Sequence, residues 1–468
     1  MSRPPKRKTK PARARARREP AGGGTPSPTP IFQAALQGAR GIHATDDPLQ
    51  VEVFVSDLLG LFDRPLIDVR DPVDFFGRKL VTYLVGKRSP DALALLHGIA
   101  AVADESLAAA AATGVARMRA GGRADPTYAE RIGRHRFVDA WASIDEYGDQ
   151  EMVGVSFVDP ADQRHALAFM IDHNFDGLVR EAFLAPDLED VRTSWVETSG
   201  MTIVPLDAQA LADRLGQGLA MFDLFLDPPC SDEVRELAVL MKARLRALPP
   251  AREPERREVD DDEREALAID FAKAKEAGRS AVVAEVARYF IDYRFDHTDG
   301  DPLRWSPIAV EMCLLDWFPR KVTLDDDELA AVPDALRRLV RYAGRRKGLS
   351  RDLIAETLAA VEEFEPPFRA AMRDETRFGP AKSMVAAMLG AGIDLGDPGA
   401  VSGWIEAFNG RPLEERDALL GFLGGGAADD DDADADADEP PERGASPGRS
   451  LRVLPGGLST PVPKRLPD

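Results

Sequence analysis

The sequence predicts a mainly α protein (α+β): a helical N-terminal region carrying a small antiparallel β-meander, then an all-helical C-terminal bundle. Two observations predict it. Helix-like patterning with start and stop signals fills most of 31–425. One stretch, about 137–185, breaks instead into short Val-, Ile- and Phe-rich runs separated by turn residues.

The elements follow in order. Helices are expected at Ile31–Ala39, Pro48–Phe62, Val73–Val85, Pro90–Ala103 and Glu105–Ala120. Ser89-Pro90 is a start signal, Ser as N-cap and Pro in the first turn. Gly121-Gly122 is a stop. Strands are expected at Phe137–Ile144, Met152–Val158, Arg164–Ile171 and Leu178–Leu184. Val153, Val155 and Phe157 alternate with other residues, as do Leu167, Phe169 and Ile171. Tyr147-Gly148-Asp149 and Asp159 to Asp162 supply turns between them. The reading is three or four antiparallel strands. Helical pattern returns at Asp187–Glu197, Asp207–Phe225 and Ser231–Leu248.

Residues 250–262 are charged and proline-bearing and read as a linker. It divides a first domain, 31–249, from a second, 263–425. The second reads as helices throughout: Arg264–Ala277, Ala281–Phe295, Pro307–Trp317, Asp326–Ala343, Arg351–Phe364, Pro366–Thr376, Ala381–Ala391, Pro398–Phe408 and Leu413–Gly421. Pro307–Phe318 is apolar nearly all round and suits a central helix.

The ends carry opposite charge. Residues 1–30 hold Arg3, Lys6, Arg7, Lys8, Lys10, Arg13, Arg15, Arg17 and Arg18 against the single acid Glu19, and no large apolar residue between Met1 and Ile31. Residues 426–468 hold the run Asp429 to Glu439 and a Pro/Gly-rich tail. Both tails are expected to be disordered, because nothing in them offsets the entropy of ordering.

The chain has 468 residues, 44% of them apolar, enough for a sizeable core. Its net charge of −20 disfavours nucleic acid and anionic membranes over most of the surface. Ala, Arg, Gly, Asp and Pro are abundant, usage typical of a high-GC bacterial genome. The two cysteines, Cys230 and Cys313, are far apart, which excludes a disulfide framework or a cysteine-rich zinc site. No secretory apolar segment follows the basic start, and no run of about 18 uncharged apolar residues exists. A cytoplasmic location without membrane contact is therefore expected.

The phosphate-binding loop, GxGxxG after a strand, HExxH, GxSxG and the kinase signatures are all missing. No cofactor or metal is implied. Three constellations remain. Asp172-His173-Asn174-Phe175-Asp176 follows the third strand, where a carboxylate and an imidazole could hold a ligand or move protons, with Asp172, His173 and Asp176 as the ligand-binding candidates. The competing reading is a turn, because Asn174, Asp176 and Gly177 suit chain reversal. Asp292, Asp296, His297, Asp299 and Asp301 resemble a calcium loop but fail its register; Glu285, Arg288 and Asp292 read as a solvent-facing ion ladder. Arg304, Trp305, Arg320 and Lys321 flank the apolar helix and could form an anion pocket.

Two segments, FMIDHNFDGLVREAFLAPDLEDV at 169–191 and DGDPLRWSPIAVEMCLLDWFPRKV at 299–322, resemble segments of uncharacterised proteins of high-GC Gram-positive bacteria. The resemblance implies a family and no chemistry. The leading expectation is a non-enzymatic cytoplasmic protein that acts on an unidentified protein partner. One alternative is a hydrolase-like or small-ligand-binding domain using Asp172 to Asp176. Another is a nucleic-acid-associated protein whose basic N-terminal tail makes weak, non-specific contacts with an anionic partner.

Overall fold

The structure is a computed structural model that describes residues 29–63, 71–199, 201–225, 227–253, 261–298, 300–412 and 415–416. It is mainly helical, with one antiparallel sheet inserted after the fifth helix. The N-terminal helices are α1 (Thr29–Gly38), α2 (Pro48–Gly60), α3 (Pro72–Lys87), α4 (Pro90–Val102) and α5 (Glu105–Ala120). Most starts are dictated locally. Asp47, Asp71, Ser89 and Asp104 each accept a hydrogen bond from a backbone N–H of the first turn, and in α2, α3 and α4 a proline follows the cap.

The sheet has five strands, not three or four. They are β1 (Arg136–Ile144), β2 (Gln150–Val158), β3 (Arg164–Asp172), β4 (Leu178–Ala185) and β5 (Val204–Leu206), in the order β4-β3-β2-β1-β5. The first four form a meander joined by tight turns, and β5 adds to the free edge of β1. Between β4 and β5 lies α6 (Leu188–Ser199); after β5 come α7 (Ala208–Leu224) and α8 (Asp232–Leu245).

Alternation sets the two faces of the sheet. Val153, Val155, Phe157, Leu167, Phe169 and Ile171 enter the main N-terminal core with residues of α2, α4, α7 and α8. Trp141, Met152, Ala168 and Met170 face the other way and are covered by Leu188 and Trp195 of α6. A Cβ on Gly154 would lie 2.6 Å from the Trp141 ring, so the bare glycine is what lets the indole lie across the strand.

The remaining helices are α9 (Asp261–Lys273), α10 (Ala281–His297), α11 (Pro307–Met312), α12 (Phe318–Lys321), α13 (Asp326–Lys347), α14 (Arg351–Ala371), α15 (Pro380–Gly390) and α16 (Pro398–Asn409). A π-helical turn, Cys313–Trp317, joins α11 to α12. α10, α11, α13 and α14 gather a second core around Phe290, Trp305, Phe318, Leu336, Leu339 and Phe368.

Two helices expected at 351–364 and 366–376 are one, α14, which runs through Pro366 and Pro367. Both prolines are exposed, as are Glu362 and Glu363, whose carbonyls lose their N–H donors to water. The apolar stripe Val361, Phe364, Phe368 and Ala371 continues beneath them. Of the expected linker, residues 254–260 lie outside the described residues, as do most of Leu413–Gly421 and both charged tails.

Candidate functional site

β3 ends at Asp172, which is fully buried. Its carboxylate accepts the Asn174 N–H at 2.9 Å and lies 3.4 Å from Nη1 of Arg180. A single 3-10 turn, His173–Phe175, follows. Asp176 (φ 54) and Gly177 (φ 82) then take left-handed backbone and send the chain into β4. Burial pushes the Asp172 carboxyl up, opposed by the Asn174 N–H and Arg180. The Arg180 guanidinium also stacks over the Phe175 ring, 4.7 Å from its centroid.

His173 points elsewhere. Its backbone N–H donates to the Asp149 carbonyl at 2.8 Å. Its Nε2 lies 3.6 Å from a Glu151 oxygen, longer than a hydrogen bond, and Glu151 is held by Arg214 at 2.9 Å. No polar contact joins the Asp172 carboxylate to the His173 imidazole. Asp176 offers its carbonyl to the Gln217 amide at 3.2 Å.

The turn is not an isolated loop. It abuts the hairpin tip between β1 and β2, and both dock on the segment between α10 and α11. Arg304, only 4% exposed, makes the main fastening. It pairs with the Asp149 carboxylate, donates to the Gly148 carbonyl at 3.1 Å, and donates from Nη2 to the His173 carbonyl at 2.9 Å. The Ser306 hydroxyl donates to the other Asp149 oxygen while capping α11 through the Ala309 N–H. Arg294, fully buried on α10, reaches the Asn174 side-chain oxygen at 3.5 Å and donates to the Asp301 carbonyl at 3.2 Å. At the margin the Tyr147 hydroxyl lies 2.9 Å from the Glu356 carboxylate on α14.

The structure thus joins parts of all three constellations: Asp172 to Asp176 from the first, Asp301 from the second, Arg304 and Trp305 from the third. The rest separate. Arg320 pairs with Asp316 at 3.2 Å on the surface. Asp292 and Asp296 both bind Arg264 of α9; Arg288 pairs with Glu265 and also lies 3.8 Å from Glu285, so one expected rung of the ion ladder is present and the rest spans two helices. Asp299 and the cationic candidates Arg3 to Arg18 lie outside the described residues.

Asp145 completes the cluster. It is buried in the β1–β2 turn and accepts the Asp149 N–H at 2.8 Å. Burial first, and then the neighbouring Asp149 charge, raise its pKa to about 6.

A second buried network escapes notice in the sequence because its members are distant. Glu52 on α2 accepts the Gly133 N–H at 2.8 Å, lies 2.8 Å from His135 Nε2, and pairs with Arg244 of α8. Arg244 also donates from Nε to His165 Nε2 at 3.0 Å, so the neutral His165 ring carries its proton on Nδ1. Burial and then Arg244 push the His165 pKa down to about 3. Burial alone would raise the Glu52 pKa, yet Arg244, His135 and the Gly133 N–H hold it near 2. One signal was available: Glu52, Arg244 and Arg294 each sit on the apolar stripe of an amphipathic helix, where a charge needs a buried partner.

Among the described residues, no group of three or more His, Cys, Asp or Glu is arranged to hold a metal ion, and no helix is long and apolar enough to cross a membrane. A hollow of about 180 Å³ lies on the outer face of the sheet, lined by Trp141, Ser156, Arg164 and Leu188. It sits at the Arg164 end of β3, the opposite end from Asp172. Compared with known protein families, curated proteins and solved structures, the chain matches none.

Proposed function

We propose that this protein acts through contacts with another protein rather than by catalysis, and that its 172–176 segment is a structural joint. The observation that carries the reading is the closure of the candidate site. The Asp172 carboxylate is taken by Asn174 and Arg180, the His173 backbone by Asp149 and Arg304, and the Asn174 oxygen by Arg294. A working site keeps polar groups convergent on a space a ligand can enter; here most converge on one another, His173 Nε2 and Asn174 Nδ2 being the exceptions.

The test is calorimetry of the full chain and of His173→Ala with Zn²⁺, Mn²⁺ and Mg²⁺, beside gel filtration of the native complex. The joint reading expects no stoichiometric heat. It also expects His173→Ala to cost no more than about 0.5–1.5 kcal/mol, the net worth of one hydrogen bond, because the bonds His173 makes run through its backbone, and to keep any partner. A micromolar, stoichiometric heat that disappears in His173→Ala would overturn it in favour of a ligand-binding site.

A further inference from the structure

The chain is strongly acidic, at −20, yet one described surface is basic. On α13, residues 334, 338, 341 and 345 fall on one helical face by their spacing of three and four. The segment after α9 lies along that face: Arg338 donates to the Ala277 carbonyl at 3.0 Å, and Arg345 pairs with Glu276 at 2.9 Å. Within this face Arg338 is answered by Asp334 and Arg345 by Glu276. Four further cations, Lys273, Lys275, Arg279 and Arg341, are exposed, and among the described residues none of them is paired with a carboxylate. Like charges gathered on one face without carboxylate partners repel one another, with screening over roughly 8 Å at physiological salt.

We infer that this face is the docking surface for the chain's own acidic run, Asp429 to Glu439. Three observations favour that occupant. The run, DDDDADADADE, is the densest block of negative charge in the sequence. Its alternating part places like-facing carboxylates about 6–7 Å apart if extended. Arg341, without a carboxylate, and its neighbours Arg338 and Arg345, each shared with one, step along the helix by about 4.5 and 6 Å, a comparable interval. The tether is long on the scale of that face. Twelve residues lie between Arg416 and Asp429, and the thirteen Cα steps can span roughly 43–47 Å, more than the approximately 33 Å length of a helix the size of α13. A segment so tethered meets its surface at an effective concentration on the order of millimolar, so individually weak ion pairs act together.

The test uses the full chain and a carbodiimide, which joins a lysine amine to a carboxylate as an amide. Lys273 and Lys275 are the reporters. At 20 mM salt they are expected to cross-link to residues 429–439 within one molecule, scored by mass spectrometry on an equal mixture of isotopically light and heavy chain. The yield should fall at least fivefold at 1 M salt, and likewise in Arg279→Glu/Arg341→Glu, which keeps both lysines. Both substitutions are at exposed positions, and circular dichroism checks that the variant is folded. Cross-links that are absent, insensitive to salt or to the variant, formed between molecules, or formed chiefly to Lys6, Lys8 and Lys10 would each overturn the assignment.

Discussion

Removing the charge of Glu52 gives the sharpest test of how the N-terminal core is held. Glu52→Gln keeps the shape and one acceptor oxygen for Gly133 or His135, but leaves Arg244, only 2% exposed, without its anion. Breaking a buried pair from one side costs about 3–5 kcal/mol, because the surviving charge stays desolvated. For a core of this size each kcal/mol moves the midpoint by roughly 2–4 °C, so a fall of about 6–20 °C is expected. The pH dependence has a defined sign. The Glu52 pKa is depressed from 4.5 to about 2, so its contribution is full above pH 4.5 and is lost as pH falls toward 2. The assay is differential scanning calorimetry at pH 7 and along a descending series to pH 3. Glu52→Gln/Arg244→Met removes both charges and should be more stable than Glu52→Gln alone. A fall of under 2 °C in the single variant, or strict additivity in the double, would refute the reasoning.

Asp145→Asn should act in the opposite direction. The Asp145 pKa is raised to about 6, so the native state favours the protonated carboxyl and loses stability as pH rises from about 4 through 6. The variant should lack that slope, though its amide accepts only one of the two backbone N–H groups, from Asp149 and Gln150, that the carboxylate takes; an unchanged pH profile would contradict the reasoning. Arg304→Met leaves Asp149 buried and facing only Ser306, and should cost about 3–5 kcal/mol. Calorimetry should then resolve two transitions in place of one, as the helical region beyond α9 uncouples from the sheet. Gly154→Ala forces the Trp141 indole off its seat and should cost roughly 1–3 kcal/mol, read as a lowered midpoint with altered tryptophan fluorescence.

The elements that the sequence discloses are those with local causes. The Ser-Pro start, glycine stop and strict alternation act within a few residues, and helices and hairpins appear where they predict. What escapes is set at a distance. β5 is three residues long and contains Pro205, so nothing local marks it; its pairing with Ala140 to Ala142 creates it. Pro366-Pro367 reads as a break but falls on the solvent side of an apolar stripe that runs on. The π turn at Cys313–Trp317 has no signal in residue type. For the candidate site, the caps and left-handed residues of 172–177 are legible, whereas Arg304 meets Asp149 across 155 residues and no periodicity connects them.

That separation gives the molecule a chronology. On a ribosome adding about 5–20 residues per second, roughly 8–30 s pass between the emergence of Asp149 and that of Arg304. Through that interval the meander can pair and its core can close, while Asp149 keeps its hydration shell in place of the guanidinium. Until the α10–α11 segment emerges, Asp145 and Asp149 leave this end of the meander a wet, acidic rim. Water leaves that rim when the segment is delivered, so the joining of the sheet to the helices beyond it is a desolvation at the Asp149 edge.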